Sequence, residues 1–206
     1  MGRHYNVLLF ILALSFLAFG FSMADKSNID IANQSLSNPA KINKANNFTQ
    51  TNEDCLRGQA EPIIKKDVYP NTTFVLQADS LTAIETVKFD NGDNLTIRNW
   101  GCEYYVLTFR YETSRPKADT TNLKYWYVNS VKFINQIEHG IKAPIDIKKG
   151  INALNRYIST NAFNLKLNKD IDFGINEVRN FITLESISQI DKNRFVVTFS
   201  FVVGPL

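Results

Sequence analysis

The tetrapeptide Asp90-Asn91-Gly92-Asp93 lies between two runs that alternate apolar and polar residues, TAIETVKF (82–89) and NLTIRNW (94–100). Asn-Gly between alternating runs is the strongest short-range signal for a β-hairpin, because both residues tolerate the positive φ of a tight turn. A three-residue loop over Asn91, Gly92 and Asp93 sets Phe89 opposite Leu95 and Val87 opposite Ile97, so four apolar side chains share one face. A two-residue Asn91-Gly92 turn would put Phe89 opposite Asn94 and lose that match. The three-residue loop is therefore the expected one. Gly101 then permits a second reversal, and CEYYVLTFRYE (102–112) reads as a third strand. Tyr105, Leu107, Phe109 and Tyr111 fall on one face of it, and Tyr104, Val106, Thr108 and Arg110 on the other. A three-stranded antiparallel meander over 82–112 is thus the part of the fold that the chain specifies most tightly.

The remaining periodicities attach to this meander. Residues 74–77 read as a short strand ahead of it, and 114–122 (SRPKADTTN) as a break. Leu123, Trp126, Tyr127, Ser130, Val131, Ile134, Ile137 and Ile141 recur by threes and fours, which predicts an amphipathic helix. Asp119, Thr120 or Thr121 can cap its start, and Gly140 suits its end. After Ala143-Pro144 a second helix is expected over 145–159, with Ile147, Ile151, Leu154 and Ile158 along one stripe. Phe163, Leu165 and Leu167 alternate with polar residues and predict a strand, as does 181–187. Phe195, Val197, Phe199, Phe201 and Val203 alternate without a break and should face the core, with a turn over 189–194 before them. Strands, two helices, then strands is the order of an α+β fold. The expected architecture is an antiparallel β-sheet, made of the N-terminal three-stranded meander plus C-terminal strands, packed against two amphipathic helices.

The N-terminal region bears on compartment. Arg3 and His4 precede an apolar run, VLLFILALSFLAF (7–19), and Ser22-Met23-Ala24 places small residues before Asp25. This is the pattern of a secretory signal peptide over 1–24, cleaved after Ala24. The run is shorter than the roughly 20 apolar residues that span a bilayer, so no membrane span is expected after processing. Residues 25–52 are rich in Asn, Ser and Lys and poor in aromatics, and read as a flexible polar spacer. Residues 53–206 then form a single α+β domain. The expected location is the periplasm or the extracellular space, and the Lys-, Asn- and Ile-rich composition suits a bacterial origin.

Charge and rare residues narrow the chemistry. Of the formal net charge of +3, the signal peptide carries Arg3 and no acid, so the processed chain is close to neutral and its basic residues are scattered. Nucleic-acid binding is not expected of such a surface. Two cysteines remain, Cys55 and Cys102, and in an oxidising compartment they pair as a disulfide. They lack CxxC spacing, and with His139 as the one histidine left no zinc ligand set is available. No metal site and no cofactor are expected. The same single histidine, beside Gly140 at a helix end, leaves no base for a Ser-His-Asp or Cys-His site.

Two readings of a site remain. Glu85 and Glu103 both fall on apolar-facing positions, beside Val87 and Tyr105. Either could be a general acid if buried, or could lie at a strand end, or pair with Arg98 or Arg110. The second reading is a binding surface around the disulfide. Trp100, Glu103, Tyr104 and Tyr105 surround Cys102 in sequence, Cys55 brings Arg57 close, and Arg110 on the same strand as Tyr104 is counted with this surface. Trp, Tyr and Arg dominate interface energetics. The expected function is an exported, soluble, non-catalytic binding or inhibitor-like protein, whose partner is an extracytoplasmic protein or an envelope ligand. The alternatives are a carboxylate-dependent cell-envelope hydrolase and an envelope assembly protein that recruits strands to an open sheet edge.

Overall fold

Among the described residues, seven strands form one antiparallel sheet: β1 (Thr72–Leu76), β2 (Ala83–Lys88), β3 (Asn94–Trp100), β4 (Tyr105–Thr113), β5 (Ile171–Asp172), β6 (Arg179–Asp191) and β7 (Arg194–Gly204). The computed structural model describes residues 55–114, 119–174 and 178–205, within the unit Asn47–Leu206; the expected signal peptide over 1–24 and spacer over 25–52 lie outside them. The sheet order is β1-β2-β3-β4-β7-β6-β5. Between β4 and β5 the chain makes two helices, α1 (Leu123–Ile137) and α2 (Ile147–Thr160). The fold is α+β, with both helices on one face of the sheet. Leu95, Ile97, Leu107, Phe109, Phe199, Phe201 and Ile182 form the sheet side of the core, and Trp126, Tyr127, Ile134, Ile137 and Leu154 the helix side. β7 is the pivot: it pairs with β4 on one edge and β6 on the other, which joins the N-terminal meander to the C-terminal strands. Its alternating Phe195, Val197, Phe199 and Phe201 are all buried, as their period requires.

The hairpin register differs from the expected one. Val87 pairs with Leu95, and Glu85 with Ile97. Phe89 N donates to Asp93 O and Gly92 N to Phe89 O, both at 3.0 Å, so the three loop residues are Asp90, Asn91 and Gly92. The reason is Gly92, whose φ is +84°. A three-residue hairpin loop is a β-turn closed by a left-handed residue, so the glycine must come last, not in the middle. The Asn91 side chain secures the turn by accepting from Asp93 N at 2.9 Å. The displacement preserves parity, so the same side chains still face the core.

Helix boundaries and loops also differ in instructive ways. Asn122 caps α1 by accepting from Tyr125 N, while Asp119 accepts from Thr121 N and Asn122 N in the turn before it. α1 gives way to a 3-10 turn over Glu138–Gly140, and Ile141 leaves it extended to bridge Ile64. Gly140 is required by contact rather than by helix termination: a Cβ there would meet the Tyr69 ring at 2.2 Å. α2 starts at Ile147, two residues later than expected, because Asp146 caps it through Lys149 N. The strand expected at Phe163, Leu165 and Leu167 is absent. Phe163 is fully exposed, and the segment is fastened to helices by Tyr127 Oη donating to Lys166 O at 2.7 Å. Leu165 and Leu167 pack on the core without pairing, and Ile171–Asp172 makes the edge strand instead. β4 begins at Tyr105 because residues 102–104 bend after Gly101. β6 and β7 continue through the expected turn and reverse at residues 192–193, and β6 is bulged at Leu184/Ser186 and Gln189/Asp191.

Candidate functional site

Cys55 and Cys102 form the disulfide, which fastens the arm preceding β1 to the bend after β3. The arm then lies along the core face of β2–β4, where three polar side chains stand in positions otherwise taken by hydrophobes: Glu85, Asn99 and Tyr105. Each is explained by the arm. Ile63 N and Ile64 N donate to Glu85 Oε1 and Oε2 at 2.8 and 3.0 Å. Asn99 Nδ2 donates to Glu61 O at 3.2 Å. The arm is further stitched to residues 140–142 by Lys65 N to Gly140 O and Lys142 N to Ile63 O, at 2.9 and 2.7 Å. Because the arm is not a regular strand, its amides find no ladder there, and a side-chain carboxylate supplies the acceptors.

Glu85 is 1% exposed, and burial holds its carboxyl above the usual glutamate range, against the two amides, which pull it down. Glu85→Gln leaves one carbonyl oxygen for two donors and turns an NH2 toward the second amide. A loss of about 1–3 kcal/mol is expected, the cost of one unsatisfied buried donor. A raised folded-state value makes the Glu85 contribution full below the ordinary glutamate pKa and lost as pH rises through the raised one. The stability gap between wild type and Glu85→Gln should therefore narrow with rising pH across that window, as read by urea unfolding.

Arg57 is the half-buried cation of this region. Its Nη2 donates to Asn99 Oδ1 at 2.5 Å, its Nη1 lies 3.4 Å from Gly101 O, and its guanidinium sits 4.6 Å from the Tyr105 ring centroid. Asn99 is 1% exposed, and its bond to Glu61 O sets which amide end meets the arginine. Burial pushes the Tyr105 phenol up to about 12, so it is a neutral hydroxyl at neutral pH, and burial lowers the Arg57 pKa from its ordinary value against the pull of Tyr105 and Asp79. Among the described residues Arg57 makes no ion pair. It opens onto a cleft of about 810 Å³, lined also by Gln59, Glu61, Tyr105, Lys142 and Pro144.

The other expected site residues lie elsewhere. Trp100, Glu103 and Tyr104 border a separate depression of about 540 Å³ with Val106, Phe181 and Val202. This is the sheet face turned away from the helices, since Trp100, Val106, Val202 and Phe181 are cross-strand neighbours out of phase with the core residues. Trp100 Nε1 donates to Thr108 Oγ1 at 3.2 Å, and Arg98 lies over the Trp100 ring. Arg110 is on that outer face too, paired with Glu112, which also meets Arg194. The residues near the disulfide in sequence therefore divide across the sheet. Neighbours in a strand point to opposite faces, so Asn99 and Trp100 cannot serve one surface.

The two acids also separate. Glu85 neither reaches solvent nor pairs with an arginine, and Glu103 borders the outer depression. Asn99, Lys142, Gln59 and Glu61 are among the cleft residues that sequence reasoning missed. Asn99 carried a signal, for it stands in period with Leu95 and Ile97 where an apolar residue belongs. Lys142 carried none, because the contact depends on residues 140–142 meeting the arm. Among the described residues, no three His, Cys, Asp or Glu side chains converge on a metal position, and no helix is long and apolar enough to cross a membrane. No family model, curated protein or solved structure matches this chain.

Proposed function

We propose that this chain is an exported, non-catalytic binding protein whose partner, an extracytoplasmic protein or an envelope ligand, docks in the Arg57 cleft. The observation that supports the reading is a guanidinium held in place by Asn99 and Tyr105, with no acidic partner among the described residues, at an open cleft. Preorganised groups on a rigid frame bind with less ordering cost. The disulfide that anchors the arm suits an oxidising compartment. Export after removal of residues 1–24 belongs to the same proposal, and the intact mass of the secreted product reads the cleavage point directly.

Affinity capture from the native extracytoplasmic fraction tests the surface, with three processed baits: wild type, Arg57→Ala and Tyr104→Ala. A stoichiometric partner held by wild type and Tyr104→Ala but lost from Arg57→Ala is the expected outcome. Equal retention on Arg57→Ala would remove the cleft as the site. A hydrolase working through Glu85 lacks support, because both carboxylate oxygens accept backbone N–H groups. One observation favours the assembly reading. The edge strand β1 (TTFVL) carries no charge, proline or bulge, and Val75 is 54% exposed on it. Loss of the captured partner from a Val75→Lys bait, with retention on Arg57→Ala, would transfer the proposal to that edge.

A further inference from the structure

We propose that the Arg57 cleft recognises a single carboxylate on a peptide ligand, taken by the Arg57 guanidinium, with Lys142 adding a second positive charge to the cleft lining; this rests on the cleft being the binding surface.

The first argument is the inventory of Arg57 donors. A guanidinium has five N–H groups in a planar fork. Asn99 Oδ1 and Gly101 O account for two, the second through a long contact of 3.4 Å. A half-buried cation with unspent donors is costly to keep unless an anion meets it. Of the described acids near it, Glu61 lines the cleft without an ion pair to Arg57, and Asp79 and Glu85 are engaged elsewhere. Asp79 accepts from Leu81 N, Thr82 N and Thr82 Oγ1. Glu85 is taken by Ile63 N and Ile64 N. By contrast Arg110, Arg179 and Arg194 each have a carboxylate partner.

The second argument concerns the kind of anion. Arg57 and Lys142 against Glu61 leave the cleft one net positive charge. That balance suits a monoanion and disfavours a phosphate dianion, which Glu61 would repel. The planar fork matches a carboxylate in two-point contact. The third argument is the wall. Pro62, Ile63, Ala143, Pro144 and Val203 also line the cleft, so apolar surface adjoins the cation. A peptide offers both a carboxylate and an apolar side chain beside it, and capture of such a terminus is a recurring mode of peptide recognition.

The test is calorimetric titration of the processed chain with four probes. These are acetyl-Ala-Leu-Ala as the free acid, the same peptide as its C-terminal amide, acetyl-Ala-Asp-Ala amide, and inorganic phosphate. At least one carboxylate peptide is expected to bind about 10-fold or more tightly than acetyl-Ala-Leu-Ala amide and phosphate, the size of a charge-assisted pair. Which of the two acids wins reports whether a chain terminus or an acidic side chain is the source. Arg57→Gln should abolish the preference, and Arg156→Gln on the exposed face of α2 should leave it intact. If Arg57→Gln does not fold, Arg57→Lys, which keeps the charge but not the fork, should still weaken the preference. Equal binding of acid and amide, tighter binding of phosphate, or no binding by either acid would overturn the carboxylate assignment. Should that happen while Arg57→Ala still releases the captured partner, the cleft reading stands and only the ligand class falls.

Discussion

Replacing Phe199 by alanine is expected to destabilise the protein by about 3–5 kcal/mol, measured by urea unfolding. Phe199 is 1% exposed and stacks on Phe109 with centroids 4.9 Å apart and planes 9° from parallel. The Phe133 ring from α1 meets it edge-on at 6.3 Å, and Phe201 from the same strand at 6.4 Å. Both the transfer term and the cavity term apply in full. β7 is hydrogen-bonded on both edges, to β4 and β6, so the sheet cannot close over the space left behind. The matched control is Phe163→Ala, which removes the same side chain from a fully exposed loop position and should move stability by no more than about 0.5 kcal/mol. Equal effects at the two positions would contradict the burial assigned to each.

Removing the disulfide is expected to cost a similar amount by a different route. The bridge spans 47 residues, for which the chain-entropy argument gives about 4 kcal/mol at the upper end. The effect comes chiefly from the unfolded chain, so the Cys55→Ala/Cys102→Ala pair should still fold around the same core. In the folded state the consequence is local. Arg57 is two residues from Cys55, and Gly101, its acceptor, adjoins Cys102. The Glu85 bonds to Ile63 and Ile64 remain, so the distal arm stays docked while its first residues loosen. Partner capture should therefore fall more than the folded fraction does under native conditions. A stability loss below about 1 kcal/mol would mean that the unfolded chain already keeps these ends close, contrary to the loop-closure argument.

Much of the fold was legible because it rests on local period. Phe195 to Phe201 alternate, the strand after Gly101 alternates, and the two helical stripes recur by threes and fours, so each segment declares its buried face without reference to any other. The errors lie where the outcome depends on a partner distant in sequence. Phe163, Leu165 and Leu167 have strand period, yet their segment is held by Tyr127 on α1. The hairpin loop was displaced by one residue because φ at Gly92, not apolar matching, decides the register.

The site divides in the same way. The pairing of Cys55 with Cys102 follows from there being two cysteines, and it correctly places Arg57 near the end of β3. The local period likewise specified which residues of β3 and β4 face the core, because a strand alternates whatever surrounds it. Only the tertiary structure decided that Glu85 is spent on the arm, that Asn99 orients Arg57, and that Lys142 joins them. Only it showed that Trp100 and Tyr104 serve the opposite face. The physical reason is that buried polar groups are placed by their hydrogen-bond partners. Here those partners lie about 20 to 45 residues away along the chain, beyond the reach of any local pattern.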